Sequence, residues 1–332
     1  MRKFIILLLF CLLPACGGAI PSEDLQPGIE KTDPTADPTK GPALGGAPGF
    51  DLSLALELGR LCLQSYQMLD DFNAGKTFTL PAPYTLVKQY FTNEDFSGVT
   101  ATGDSVPIAF IATKDDNIYV VFRGTDTIVE WIDDSEIGQV PYTFVTDGGL
   151  TEAGFTNVYA TINSDMIAEV KQLNQSGNYS NLFITGHSLG AGLAVLAVPD
   201  FAANTPFSDP IMYNFAGPRV GNPHFAEAVF NALDLTTIRV ANTNDLVPKL
   251  PQPVVEIFKD NMFKTFFYDH VNTEHPITFG NPISGPTDVK DIEFNHIMCH
   301  YYNHLCAGTS DPASCMAMAD GADGCNVPSK GS

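Results

Sequence analysis

The chain has 332 residues, 44% of them hydrophobic and 17% charged, enough for one large α/β domain with a sizeable core. That composition excludes wholesale disorder. The formal net charge of −21 argues against nucleic acid and anionic membrane surfaces as partners and suits neutral substrates.

The N-terminus opens with Met1-Arg2-Lys3 and an apolar run over residues 4–13. A short basic stretch followed by about ten apolar residues is a secretory signal, too short to span a bilayer. Leu13-Pro14-Ala15-Cys16 closes the run and resembles a bacterial lipobox, with a small residue just before the cysteine. Residues 1–15 therefore read as a signal peptide and Cys16 as the site of a lipid anchor. This places the protein in the bacterial cell envelope, facing periplasm or exterior. An ordinary signal cut nearby, releasing a secreted protein, is the alternative. Residues 16–49, punctuated by Pro34, Pro38, Pro42 and Pro48, read as a flexible tether. No later stretch has the length and hydropathy of a transmembrane helix.

Residues 50–72 carry Leu52, Ala55, Leu58, Leu61, Cys62, Tyr66 and Leu69 at helical spacing. Residues 84–91, 106–112 and 118–122 read as strands, the last two joined by Lys114-Asp115-Asp116-Asn117 into an antiparallel hairpin. Next comes Arg123-Gly124-Thr125-Asp126-Thr127, at a strand end where α/β ligand sites gather. Gly124 permits close approach, and Thr125 offers a backbone N–H and a hydroxyl, the donors an oxyanion hole requires. An ordinary turn with Arg123 paired to a carboxylate is the plainer reading. Residues 135–149 are irregular, with Val140, Tyr142, Phe144 and Val145 in a polar frame. They fit either a small satellite core or a lid over an apolar site. Residues 151–173 form a long helix with Phe155, Val158, Ile162, Met166, Ile167 and Val170 inward.

An apolar strand then runs into Gly186-His187-Ser188-Leu189-Gly190 and an Ala/Leu-rich helix. Strand, sharp turn and helix are the context of a nucleophile elbow, which exposes a serine hydroxyl at a sheet edge. A strand over 211–215, a helix over 223–232 and a strand over 236–241 follow, giving a parallel sheet with right-handed crossovers. Residues 254–258, 263–268 and 275–279 look like short strands. Residues 291–305 form one helical segment carrying His296, His300 and His304 on a single face.

A serine needs a base to take its proton, and a histidine base works best when a carboxylate fixes its tautomer. Asp245 lies in a loop just past a strand end, on the same sheet edge as Ser188. Asp200 and Asp209 follow the elbow helix too closely, and Asp234 precedes a strand. The base is expected at the N-terminal end of the histidine helix, which selects His296 with His300 as runner-up. The same spacing could ligate a metal, but no acidic ligand accompanies it. Cys299, Cys306, Cys315 and Cys325 could form two disulfides in any of three pairings, and Cys62 reads as a buried free thiol.

In order along the chain, Phe122-Arg123-Gly124-Thr125 with Trp131, Gly154-Phe155, the elbow with Gly190-Ala191-Gly192, Phe215-Ala216-Gly217-Pro218-Arg219-Val220-Gly221-Asn222 and Asn244-Asp245-Leu246-Val247-Pro248 resemble the class 3 lipases, the fungal-lipase-like branch of the α/β hydrolases. The resemblance covers residues 50–305. It implies an α/β fold with a mostly parallel central sheet, an antiparallel N-terminal portion and helices on both faces. It also implies Ser188 as nucleophile, Asp245 as acid, and Thr125 with the Leu189 N–H as oxyanion hole. Asn295-His296-Ile297-Met298 followed by Tyr301 looks like the bacterial form of the catalytic-histidine segment, whereas the fungal form has its tyrosine sooner. Glu152 stands where the family often has a histidine, and the stretch between Trp131 and Gly154 is not a recognisable fungal lid helix.

The expectation is a serine carboxylic-ester hydrolase, foremost a lipase acting on acylglycerols, with no metal or organic cofactor and no nucleic-acid partner. Residues 50–305 would form the catalytic domain and residues 306–332 a Cys-containing tail, tethered to a membrane through Cys16. Phospholipids, short soluble esters and feruloyl esters are alternative substrates for the same triad. A catalytically idle envelope binding protein and a metal-binding envelope protein are the readings from other classes.

Overall fold

The computed structural model describes residues 49–93, 105–125, 138–259, 262–283 and 288–319. The signal peptide, Cys16, the tether up to residue 48, Trp131 and Cys325 lie outside the described residues.

Helix α1 (Leu52–Asn73) starts where the Asp51 carboxylate accepts from the Ser53 and Leu54 N–H groups, satisfying two otherwise orphaned donors. Strands β1 (Thr85–Thr92), β2 (Val106–Lys114) and β3 (Asn117–Phe122) form an antiparallel meander, with β2 and β3 the expected hairpin. Two short strands, β4 (Gln139–Pro141) and β5 (Leu150–Glu152), pair separately and lead into α2 (Ala153–Ser176), capped by the Glu152 carboxylate. Strand β6 (Asn181–His187) enters α3 (Leu189–Asn204), which buries every residue from Leu189 to Phe201. Such a helix is apolar all round because it is enclosed on all sides. Strands β7 (Ile211–Phe215) and β8 (Thr237–Asn242) follow, then the hairpin β9 (Val254–Lys259) and β10 (Met262–Phe267), and β11 (Thr273–Ile277). The chain continues through α4 (Val289–His296), α5 (Met298–Cys306) and α6 (Pro312–Met316).

The main sheet has seven strands in the order β1-β2-β3-β6-β7-β8-β11. From β3 to β11 all neighbours are parallel, so the expected architecture is present: a parallel sheet with an antiparallel N-terminal edge. Side chains alternate across it. Ile118, Val120, Phe122, Leu182 and Ile184 join α2 and α3 in one core, while Tyr119, Val121, Tyr213 and Phe215 join α1 and α5 in the other. Each fully buried Phe, Ile or Val contributes about 1.5–3 kcal/mol, so both faces of the sheet are heavily stabilised. Glu57 on α1 accepts from Lys114 Nζ, Tyr119 OH and Tyr84 OH at 2.7, 2.6 and 3.0 Å, pinning that helix to the meander.

Two elements differ from the periodicity reading. The helix expected over 223–232 is a π-helical turn, His224–Phe230, followed by a 3-10 turn, Asn231–Leu233. The wider turn lets Phe225 and Phe230, five apart, both bury, with rings 6.4 Å apart. The histidine segment is not one helix. It breaks at Ile297 (φ −58, ψ 130), so His296 ends α4 and does not share a face with His300 and His304.

In the tail, Cys306 and Cys315 form a disulfide that docks α6 onto α5. Cys299 is also disulfide-bonded, to a partner outside the described residues, and Cys62 is a buried free thiol.

Candidate active site

The register of the sheet assembles the site. Phe122 of β3 pairs with Gly186 of β6, so the two chains leave the sheet side by side and Gly124 comes level with Ser188. The approach is close. A Cβ added to Gly124 would lie 2.8 Å from the His187 carbonyl oxygen and 3.2 Å from Ser188 Cβ. Arg123 holds this loop by donating from Nε to the Pro107 carbonyl at 2.9 Å and from Nη1 to the Gly124 carbonyl at 2.6 Å.

Ser188 adopts φ 59, ψ −125, outside the regions L-residues favour, at a cost of about 1–3 kcal/mol. The Gly190 position faces the backbone of Phe122 and Arg123 at 2.4 and 2.8 Å from a would-be Cβ, and Gly186 similarly faces Gly190. A side chain at either glycine would push apart the strand and helix that hold the elbow. Leu189 opens α3, so its N–H is among the first-turn donors that no helical carbonyl can accept. Thr125, one residue past Gly124, is buried.

Asp245 follows β8 and is completely buried. Three donors converge on its carboxylate. His296 Nδ1 lies 2.9 Å from Oδ2, Tyr301 OH donates to Oδ2 at 2.7 Å, and the Val247 N–H donates to Oδ1 at 2.9 Å. Since a carboxylate only accepts, the proton of His296 sits on Nδ1 and Nε2 is left as the basic nitrogen. Ser188 Oγ and His296 Nε2 are both buried, and neither has a hydrogen-bond partner. Catalytic hydrogen bonds of this kind are often open before substrate binds.

The break at Ile297 is explained by what its carbonyls do. The last turn of α4 would leave its carbonyls unpaired. The Phe294 carbonyl accepts from His300 Nδ1 at 2.7 Å, that of Asn295 from Asn242 Nδ2 at 3.0 Å, and that of His296 from His187 Nε2 at 2.8 Å. Side chains from distant elements therefore replace helical continuation and fix the His296 backbone. His187 in turn accepts from Tyr66 OH at Nδ1, 2.6 Å away, because its Nε2 must carry the proton it gives to a carbonyl. Burial, reinforced by the nearby His296, holds the His187 pKa well below its usual value, so it stays neutral. The Tyr301 hydroxyl is held well above its usual pKa by burial and then by Asp245, and it accepts the Asn242 N–H at 2.9 Å.

The structure thus brings Ser188, His296 and Asp245 to one edge with Gly124, Thr125 and Leu189. It keeps the other candidates apart. Asp200 is buried within α3, accepting from Tyr159 and Asn163. His300 and His304 pack around Phe279, and no cluster of metal-ligating side chains occurs among the described residues. Residues 138–149 are packed into the core through Tyr142, whose hydroxyl donates to the Leu196 carbonyl at 2.6 Å, and through Phe144 against Tyr159. Tyr142, with Phe144 and Val145 packed against it, thus joins the main core with α2 and α3 and not a separate satellite core; residues 135–137 lie outside the described residues. Sequence reading assigned no role to Tyr301, His187, Asn242 or Tyr66. The adjacency of His187 to Ser188 and the nearness of Tyr301 to His296 were the available signals.

The family model Lipase (class 3) matches residues 119–255, which include Thr125, Ser188 and Asp245. Secreted mono- and diacylglycerol lipase A of Penicillium cyclopium is 34% identical over 209 residues, covering 60% of this chain and 60% of that protein. Over residues 119–255 the chain is similar to the class 3 lipases. Phospholipase A1-II 1 of Oryza sativa subsp. indica is a second similar protein, 33% identical over 156 residues and covering 41% and 40% of the two chains. The solved Rhizomucor miehei triacylglyceride lipase superposes with a TM-score of 0.53 at 25% identity, covering 68% of this chain and 80% of that one, and shares the α/β-hydrolase fold. The chain spans about 60% of the length of the mono- and diacylglycerol lipase. The family match ends before His296, so the histidine segment rests on geometry alone.

Proposed function

We propose that this protein is a serine carboxylic-ester hydrolase whose foremost substrates are acylglycerols. Ser188 Oγ attacks the ester carbonyl while His296 Nε2 takes its proton. Asp245 holds the imidazole in the required tautomer and stabilises its charged form. The Thr125 and Leu189 donors receive the developing oxyanion. The His296 proton passes to the departing alcohol, leaving an acyl-enzyme, and His296 then activates water to release the acid. The observation that carries this reading is the 2.9 Å contact of His296 Nδ1 with a buried Asp245, which leaves Nε2 unpartnered on the edge that also carries the unpartnered Ser188 Oγ.

The relatives support lipid esters as the substrate class, since one is named for mono- and diacylglycerols and another as a phospholipase A1. Hydrolysis of phospholipid is therefore the second reading for the same residues. The N-terminal pattern supports acylation at Cys16 and an envelope location; loss of palmitate labelling in Cys16→Ala tests it. Activity is tested with a series from short soluble esters to emulsified triacylglycerol and phospholipid, run on the parent and on Ser188→Ala. The proposal expects turnover on lipid esters in the parent and none in the variant. Retained turnover in Ser188→Ala would overturn it, and preference for soluble esters would make the protein an esterase instead.

A further inference from the structure

The β9–β10 hairpin exposes more apolar surface than any comparable part of the described residues. Its registered pairs Val254–Phe267, Glu256–Thr265 and Phe258–Phe263 share one face, because side chains alternate along a strand. The four apolar members of that face are 52–74% exposed, and the Phe258 and Phe263 rings lie 5.0 Å apart. Met262, on the opposite face, is 60% exposed. The other exposed large hydrophobics among the described residues are 37–51% exposed. Isolated exposed apolar side chains are ordinary, whereas a contiguous aromatic group marks an interaction surface.

The hairpin is rooted beside the site. Tyr268 N–H donates to the Pro253 carbonyl and Asp269 N–H to the Gly221 carbonyl, both at 2.9 Å. Arg219 Nη1 donates to the carbonyls of Lys249 and Pro251 at 2.7 and 2.9 Å. Its base is thus clamped between the loops that follow β7 and β8, at the sheet edge that carries Ser188 and Asp245. The family match stops at residue 255, two residues into β9.

Charge and shape select the occupant. The sequence of residues 254–267 carries Glu256, Lys259, Asp260 and Lys264 and so sums to zero charge, in a chain of net charge −21. Two copies at that charge repel, while an electroneutral lipid surface imposes no such penalty. Exposure is greatest at Phe263, Phe258 and Met262, at the same end of the ribbon and on both of its faces. A protein partner packs on one face; a fluid lipid interface surrounds both.

We propose that this hairpin is a docking element for electroneutral lipid surfaces, inserting Phe258, Met262 and Phe263 and holding the Ser188 edge against the lipid. It rests on the reading that the substrate is a lipid ester.

The test is flotation with phosphatidylcholine vesicles, using the full chain carrying Cys16→Ser, to remove any acyl anchor, and Ser188→Ala, to prevent hydrolysis. Each phenylalanine leaving water is worth about tenfold in binding, so adding Phe258→Ser and Phe263→Ser should lower the partition coefficient about 100-fold. Circular dichroism checks that this variant is folded. In parallel, Phe263→Trp should show a blue-shifted emission component on adding vesicles. A parent that does not float, a Ser/Ser variant that floats like the parent, or an unshifted Trp spectrum would each overturn the proposal. A concentration-dependent dimer in sedimentation, lost in the Ser/Ser variant, would reassign the patch to a second copy. Because flotation needs no turnover, failure of the ester-hydrolase reading is seen separately, as absence of turnover in the Ser188 protein.

Discussion

The nucleophile elbow and the histidine segment face each other across the site, yet they are built in opposite ways. At the elbow, geometry is mostly local: a positive φ at Ser188 and a Gly186 that faces the Gly190 backbone, with Gly190 in turn closed against the neighbouring strand at Phe122 and Arg123. At the histidine segment, geometry is borrowed. The carbonyls of Phe294, Asn295 and His296 are held by His300, Asn242 and His187, and the imidazole by Asp245, itself held by Tyr301. The first kind of order is written largely in a short run of residues. The second exists only once the chain has folded.

Four substitutions break or sharpen that contrast. Asp245→Asn removes the group that sets the His296 tautomer without touching the elbow, and should lower kcat on a soluble ester by about 10⁴-fold. Steady-state kinetics checks it. Gly190→Ala attacks the elbow where it closes against the neighbouring strand. Its Cβ would meet backbone atoms of Phe122 and Arg123 at 2.4 and 2.8 Å, so we expect about 3 kcal/mol of destabilisation or more, read by denaturant unfolding.

Tyr301→Phe is milder. It removes one of the donors to Asp245 and the acceptor of the Asn242 N–H, which should cost about 1–3 kcal/mol and lower kcat while Ser188 remains reactive. An unchanged unfolding midpoint would show that Tyr301 does not support the borrowed half. His270→Gln serves as a control outside the site. Burial, with Arg239 and Arg219 nearby, lowers the His270 pKa to about 3, and its Nε2 donates to the Pro248 carbonyl. A folded pKa below the unfolded value of about 6.5 means that the unfolded chain binds more protons between those pH values. This contribution is complete above about pH 6.5 and is lost as pH falls toward 3, with a slope of up to about 1.4 kcal/mol per pH unit. The variant should flatten that slope in unfolding measured from pH 7 to pH 4.

The same contrast explains what was legible in the chain. Hydrophobic periodicity and turn residues located the strands that carry Gly124, Ser188 and Asp245, because alternation and strand ends are properties of contiguous residues. The histidine segment read as one helix, since helical spacing cannot reveal that the His296 carbonyl is taken by a side chain 109 residues away. The π-helical turn at 224–230 escaped for a related reason: α-helical spacing does not register a pair of buried phenylalanines five apart. The packing of Tyr142 against α3 likewise depends on a contact across 54 positions.

The central claim is that Ser188 is activated by His296. The direct measurement is labelling with a fluorophosphonate, which reacts with an activated serine, followed by mapping of the adduct by mass spectrometry. The account predicts a single adduct on Ser188 in the parent, forming far more slowly in His296→Ala than in His300→Ala, which loses one carbonyl clamp but keeps the base. An adduct on another serine, or undiminished labelling of Ser188 in His296→Ala, would contradict it.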